Sequence, residues 1–245
     1  DPSKLIAICI CEGFSSTVNC VITNPPLEQD CFDYHIFCLG GASWKSTGSD
    51  GSWAKSFKRI GIDIVDFSAM NCGFNINWST RFKDNIENTH LKNIVLKFEH
   101  HQRRCEVMIT KYGIEGSGVY HFSREIRQGI DKSGVATVHI DLRPDLSEQQ
   151  VLERLNKPRG KNSLSNHLRK VLKISKVELS LLYECLSKED FKCSTNLAKT
   201  IKSLALVLDS TREMDEAIST SGGISMDEVD SFFRLKKHPH IFVMG

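Results

Sequence analysis

The stretch Asp33-Tyr-His-Ile-Phe-Cys-Leu-Gly-Gly-Ala-Ser-Trp-Lys-Ser-Thr-Gly-Ser-Asp-Gly51 decides the fold. An apolar run, Ile36 to Leu39, ends abruptly at Gly40-Gly41. A loop of small residues follows: Ala42, Ser43, Thr47, Gly48, Ser49 and Gly51. Trp53, Phe57 and Ile60 then recur at helical spacing. The order is a buried strand, a glycine loop and a helix. Glycine at the carboxyl end of a strand lets a backbone approach a ligand where a Cβ would clash. In open α/β sheets such crevices hold nucleotide cofactors. A tight strand-to-helix turn without a ligand explains the same residues equally well.

Outward from this stretch, residues 4–11, 16–22 and 34–39 are expected to be short strands, with a turn at Asn24-Pro25-Pro26. Residues 52–61 are expected to be helical, and Ile62 to Phe67 alternates like a strand. From 91 to 142 strands dominate. Ile94, Leu96 and Phe98 face one way, and Ala136, Val138, Ile140 and Leu142 form a face of period two. Between these lie a glycine loop, Tyr112 to Gly118, and a helical stretch with Val119, Phe122, Ile126 and Ile130. The Gly116-Ser-Gly118 pair is not a dinucleotide fingerprint, because His121 stands at the third glycine position. From 146 to 204 the apolar period becomes helical, opened by a capping box at Ser147 and Gln150. Leu204 to Leu208 returns as a strand.

The C-terminal part carries a second glycine pair and a closing apolar run. It reads Glu216-Ala-Ile-Ser-Thr-Ser-Gly-Gly-Ile-Ser-Met-Asp-Glu-Val-Asp230, then Leu235-Lys-Lys-His-Pro-His-Ile-Phe-Val-Met-Gly245. Ile241–Met244 matches Ile36–Leu39 in kind. Both are short, apolar and closed by glycine, so the two are expected in one sheet.

These two stretches, with Asn71-Cys-Gly-Phe74, resemble the BaiN-like, YhiN-type NAD(P)/FAD-dependent oxidoreductases, some labelled aminoacetone-oxidase-family flavoproteins. The resemblance runs from about residue 33 to 245. It implies a mixed α+β fold: a partial, discontinuous α/β FAD-binding domain with a β-barrel-like and helical insert. The implied boundaries are 1–64 and 216–245 for the FAD-binding domain and 65–215 for the insert. Within the insert, 65–145 and 205–215 are β-rich and 146–204 is helical. FAD is the implied cofactor, with NAD(P)H as a possible partner in hydride transfer to a small organic substrate. Leu39, Gly40, Gly41, Ala42, Gly222, Gly223 and Gly245 are the residues implied to meet FAD. Two hallmarks of the family are missing from these 245 residues. No Gly-x-Gly-x-x-Gly with a downstream acid occurs, and no glycine-rich tail follows Gly245. The expectation is therefore a truncated segment of the fold, which alone binds FAD weakly. The alternative from another class is a non-catalytic remnant or interaction module.

The composition, 40% hydrophobic and 25% charged, is that of an ordinary globular chain. A net charge of +2 dictates no partner. The longest apolar run, Leu5 to Cys11, is too short to span a bilayer and lacks a basic flank, so no membrane partner or secretory signal is expected. Nine cysteines without a Cys-x-x-Cys suggest small hydrophobes in a reducing, cytoplasmic compartment rather than zinc or disulfides. His100-His101 with Cys105, and His238-Pro-His240, are expected to be surface loops without metal. No Ser/His/Asp or Cys/His pairing marks a catalytic residue. A flavin would itself carry the redox chemistry. Seven basic residues between Lys157 and Lys176 have no acid among them. Without an aromatic to stack a base, a solvated helix face is expected there and nucleic-acid contact is the lesser reading.

Overall fold

A computed structural model describes the backbone of residues 6–10 and 19–21 and residues 33–244 in full. The described residues form two compact units. One comprises those up to Met70 and from Glu213 onward, and the other runs from Asn71 to Arg212.

In chain order, the first unit opens with β1 (Ile6–Ile10), β2 (Asn19–Val21) and β3 (Tyr34–Cys38). The Gly40 loop follows, then α1 (Ala54–Arg59) and β4 (Ile64–Met70). The second unit begins with β5 (Phe74–Asn75), α2 (Thr80–Asn85), β6 (Thr89–Phe98), β7 (His101–Ile109) and β8 (Gly113–Glu115). It continues through α3 (Ser117–Tyr120), α4 (Ser123–Ser133) and β9 (Ala136–Asp141). Four helices follow: α5 (Glu148–Leu155), α6 (Leu164–Leu172), α7 (Lys176–Cys185) and α8 (Ser194–Lys202). The unit ends with β10 (Leu204–Leu208) and β11 (Ser210–Thr211). The chain then returns to the first unit with β12 (Ser219–Ile224), β13 (Arg234–Leu235) and β14 (His238–Met244).

The first unit holds a five-stranded sheet in the order β13-β14-β3-β1-β2. Its centre is parallel: β14 runs alongside β3, and β3 alongside β1. The pairing expected of the two glycine-closed runs is present, with Ile241 opposite His35 and Met244 opposite Cys38. A separate two-stranded sheet joins β12 and β4. The core of the unit is Leu39, Trp53, Phe57, Ile62, Val229 and Leu235, with Phe37, Phe67 and Val243 packed against it. Because Ala69 and Met70 still pair with Thr220 and Ser219, the chain leaves this unit only after Met70.

In the second unit every strand pair is antiparallel, in the order β10-β9-β6-β7-β8-β5-β11. The two edge strands, β10 and β11, are consecutive in the chain and separated by Asp209 alone. The sheet therefore curls round until its edges meet, a nearly closed barrel of mixed α+β surroundings. Alternation fills it: Ile94, Leu96, Val107, Ile109, Val138, Ile140 and Leu204 are buried to 0% exposure, whereas Val207 points outward at 50%. Both faces of the expected period-two pattern, Ile94 to Phe98 and Ala136 to Leu142, lie inside. The helices α5 to α8 bury Val151, Leu168, Leu181, Leu182 and Ile201. Ser147 and Gln150 form the expected capping box, and Ser175 with Glu178 forms a second at the start of α7. No helix among the described residues is long and apolar enough to cross a membrane.

Candidate functional site

The glycine loop after β3 and the glycine pair in β12 face one another across a groove of about 890 Å³ in the first unit. Leu39, Gly40, Gly41, Gly222 and Gly223 all line it. Ala42 does not, but its N–H donates to Thr220 Oγ1 at 3.2 Å and so ties the loop to the β12 wall. Gly245 lies outside the described residues.

Each wall is held by specific bonds. The Trp53 indole N–H donates to the Gly40 carbonyl at 3.1 Å, and the Ser49 hydroxyl donates to the Gly41 carbonyl at 2.5 Å. The Lys45 N–H donates to Asp215 Oδ1 at 2.9 Å, a second tie between the loop and the return segment. Thr220 stands so close that a Cβ on Gly41 would come within 2.2 Å of its Oγ1. In the other wall β4 has two residues, Asp66 and Phe67, opposite the single Gly222. Gly222 takes φ +111°, and a Cβ there would lie 2.5 Å from the Asp66 carbonyl oxygen.

Trp53 packs edge-on against both Phe57 and Phe67, with ring centroids 5.7 Å apart in each case. At the groove mouth Phe233 has φ +59°, uncommon for an aromatic residue. Asp230 holds that turn: its Oδ1 accepts from the N–H groups of Phe232 at 2.8 Å and Arg234 at 3.0 Å. These backbone donors lead the groups that keep the Asp230 carboxyl below its ordinary value, although burial pushes the other way. Next to the lining residue Val229, Glu228 accepts from Lys237 at 2.8 Å and from the Asp63 N–H at 3.2 Å. The Lys237 hydrogen bond does most to hold the Glu228 carboxyl low.

The lining is chemically one-sided. No Lys, Arg, His, Asp or Glu lines the groove among the described residues. Its polar groups are the hydroxyls of Ser43, Thr47, Ser49, Ser219 and Thr220 and the backbone of the glycines. The rest is apolar, including Phe37, Phe67, Ile218, Ile224, Met226 and Val243. The motif residues were legible as glycines. Thr220, Phe67 and Phe233 were not, because nothing in a linear pattern marks a bulge or a groove mouth.

The HI0933-like protein barrel and H2TH domain matches residues 68–219, well over half of the chain. The chain belongs to this BaiN/YhiN-type flavoprotein family. The matched barrel is the seven-stranded sheet. One similar protein is the 3-dehydro-bile acid delta(4,6)-reductase of Clostridium scindens, 25% identical over 208 residues, which cover 80% of this chain and 51% of the relative. The chain thus spans about half the length of the curated relative it matches. The family is one of flavin-linked oxidoreductases, and the relative is by name a reductase.

Proposed function

We propose that the chain is part of a flavin-dependent oxidoreductase and that the groove between Gly40-Gly41 and Gly222-Gly223 receives the flavin end of FAD. The observation that carries this is the convergence of both glycine motifs, over 180 residues apart in sequence, on one groove lined by apolar side chains and hydroxyls. Those residues suit a flat, largely apolar ring with polar edges. When bound, the flavin supplies hydride chemistry to an organic substrate, with NAD(P)H as the electron source. The chain's own contribution is placement. Trp53 and Phe67 fix the wall behind Gly223, with a Cβ position 3.6 Å from each ring. Thr220 and Ser49 hold the loop in register, and the apolar lining excludes water from the ring. The reductase name of the relative supports a reducing direction and a bulky apolar substrate.

The diphosphate fits less well. With no cation in the lining and no Gly-x-Gly-x-x-Gly in the sequence, few donors are present to meet its charge. Each missing charge-assisted hydrogen bond costs about 1.5–3 kcal/mol, so two of them cost roughly two to four powers of ten in affinity. Titration of the 245-residue chain with FAD, read by flavin fluorescence, is expected to show weak, saturable binding. The variant Ser43→Trp, which fills the half-buried groove edge, is expected to abolish it. No binding at millimolar FAD, or binding indifferent to Ser43→Trp, overturns the assignment of the groove. Tight stoichiometric binding shows instead that groups of the chain beyond the groove lining hold the diphosphate.

A further inference from the structure

We propose that the face formed by the α5–α6 loop, the exposed side of α6 and the start of α7 binds the phosphodiester backbone of nucleic acid, without reading its bases. The seven basic residues are Lys157, Arg159, Lys161, Arg169, Lys170, Lys173 and Lys176. All seven are exposed. Among the described residues none of them forms an ion pair. Elsewhere in the same unit cations do find carboxylates: Arg104 meets Asp145, Arg143 meets Glu178 and Lys202 meets Asp141, each at 2.7 Å. The whole chain carries +2, so without these seven the remainder carries −5. The charge is segregated rather than balanced locally.

Helical geometry gathers part of it. Asn166, Arg169 and Lys170 recur at i, i+3 and i+4, which is one side of α6, and Lys173 caps the helix C-terminus. The opposite side buries His167, Leu168 and Leu172. Lys157, Arg159 and Lys161 precede the α6 N-terminus, and Lys176 opens α7 just after its C-terminus. Cations thus flank and follow a helix of 9 residues, about 13 Å long. The sequence alone favoured a solvated face. Mutual repulsion among seven cations that form no ion pair, with no acid between Lys157 and Lys176 in sequence, is the reason to prefer a polyanion partner.

The chemistry selects among polyanions. Firm seating on a lipid surface gains from apolar side chains that insert beside the charge, and Leu168 and Leu172 of α6 are buried. Base stacking needs a free aromatic, but Tyr183 of α7 is already stacked on Phe191 with its hydroxyl 2.9 Å from Ser165. What remains is contact with regularly spaced phosphates. The proposal is independent of the flavin reading.

The test is fluorescence anisotropy with random-sequence 20-base-pair duplexes of DNA and of RNA, from about 50 to 200 mM salt. If all seven cations meet phosphates, the slope of log K against log salt is expected near −6, a loss of nearly four powers of ten (roughly 3.6) over that range. Lys157→Gln/Arg159→Gln/Lys161→Gln is expected to flatten the slope by about 3. The equal loss of charge in Lys83→Gln/Lys132→Gln/Lys188→Gln, all exposed residues outside the face, is expected to leave it unchanged. Because all these residues are exposed, circular dichroism should be the same for every variant. No binding at 50 mM salt overturns the proposal, as does an equal effect of the two sets. So does binding to phosphatidylglycerol vesicles in the absence of binding to either duplex.

Discussion

At Gly222, conformation and space demand the same residue. Its φ of +111° is one that side chains rarely adopt, and the Asp66 carbonyl oxygen fills the place of a Cβ. Gly223 has φ +101° but open room, 3.6 Å to its nearest neighbours. Gly222→Ala is therefore expected to cost more stability than Gly223→Ala, about 3 kcal/mol or more against about 1–2 kcal/mol. Thermal unfolding of the two variants checks the order. A second residue, Glu178, is almost wholly buried in a bidentate pair with Arg143, at 2.7 and 3.0 Å. Burial pushes its carboxyl up, but the Arg143 hydrogen bond, the Ser175 N–H and the Arg143 charge outweigh this, and it lies below its ordinary value. A carboxylate depressed in the folded state stabilises fully above its unfolded value of about 4.3, and that stability is lost as pH falls through the folded value. Glu178→Ala leaves Arg143 uncompensated and is expected to cost about 3–5 kcal/mol at pH 7. Denaturant unfolding should show the gap between wild type and variant shrinking below pH 4. A gap independent of pH would show that the ion pair is not its source.

At the scale of the element, α7 depends on the same carboxylate twice. Ser175 Oγ accepts from the Glu178 N–H at 3.3 Å, and Glu178 Oε2 accepts from the Ser175 N–H at 2.6 Å. Ser175→Ala removes half of this box and is expected to cost about 1 kcal/mol. In the double variant with Glu178→Ala the two effects should not add, since each removes the same box. The barrel strands and the helical stretch were legible because long apolar periods dictate burial: Ile94-Leu96-Phe98 at period two, Leu168-Leu172 at helical spacing. Short elements were less so. The helix expected at 52–61 occupies only 54–59, because Ile60 and Gly61 break from helical geometry at its end. The Arg143–Glu178 pair joins residues 35 apart in sequence across two intervening helices, α5 and α6, which no local pattern reveals. The groove was legible as two glycine pairs. Its walls depend on a bulge and on Thr220, features that exist only once β4 and β12 are paired.

On the scale of the molecule, each unit has its own core and its own hydrogen-bonded sheets. Residues 71–212 alone are expected to fold and to unfold in one cooperative transition, since a unit of this size buries a sufficient core. Calorimetry of that segment checks it, and a broad, non-cooperative melt would show that its core is incomplete. The first unit instead depends on a sheet drawn from both ends of the sequence. Deleting residues 238–244 removes β14 from between β13 and β3. Limited proteolysis is then expected to open the first unit while leaving residues 71–212 resistant.

The single residue between β10 and β11 has a consequence for association. Exposed strand edges are where chains add to one another and where aggregates begin. By passing from one edge strand of the sheet to the other within one residue, the chain brings the two edges together at Asp209, whose N–H donates to the Asn75 carbonyl at 3.1 Å. The borders left to a neighbouring molecule are thus the five residues of β10 and the two of β11. Length at position 209 is the variable that guards this: a few inserted glycines would let the seam part, and the protein's solubility would then depend on a loop rather than on its core.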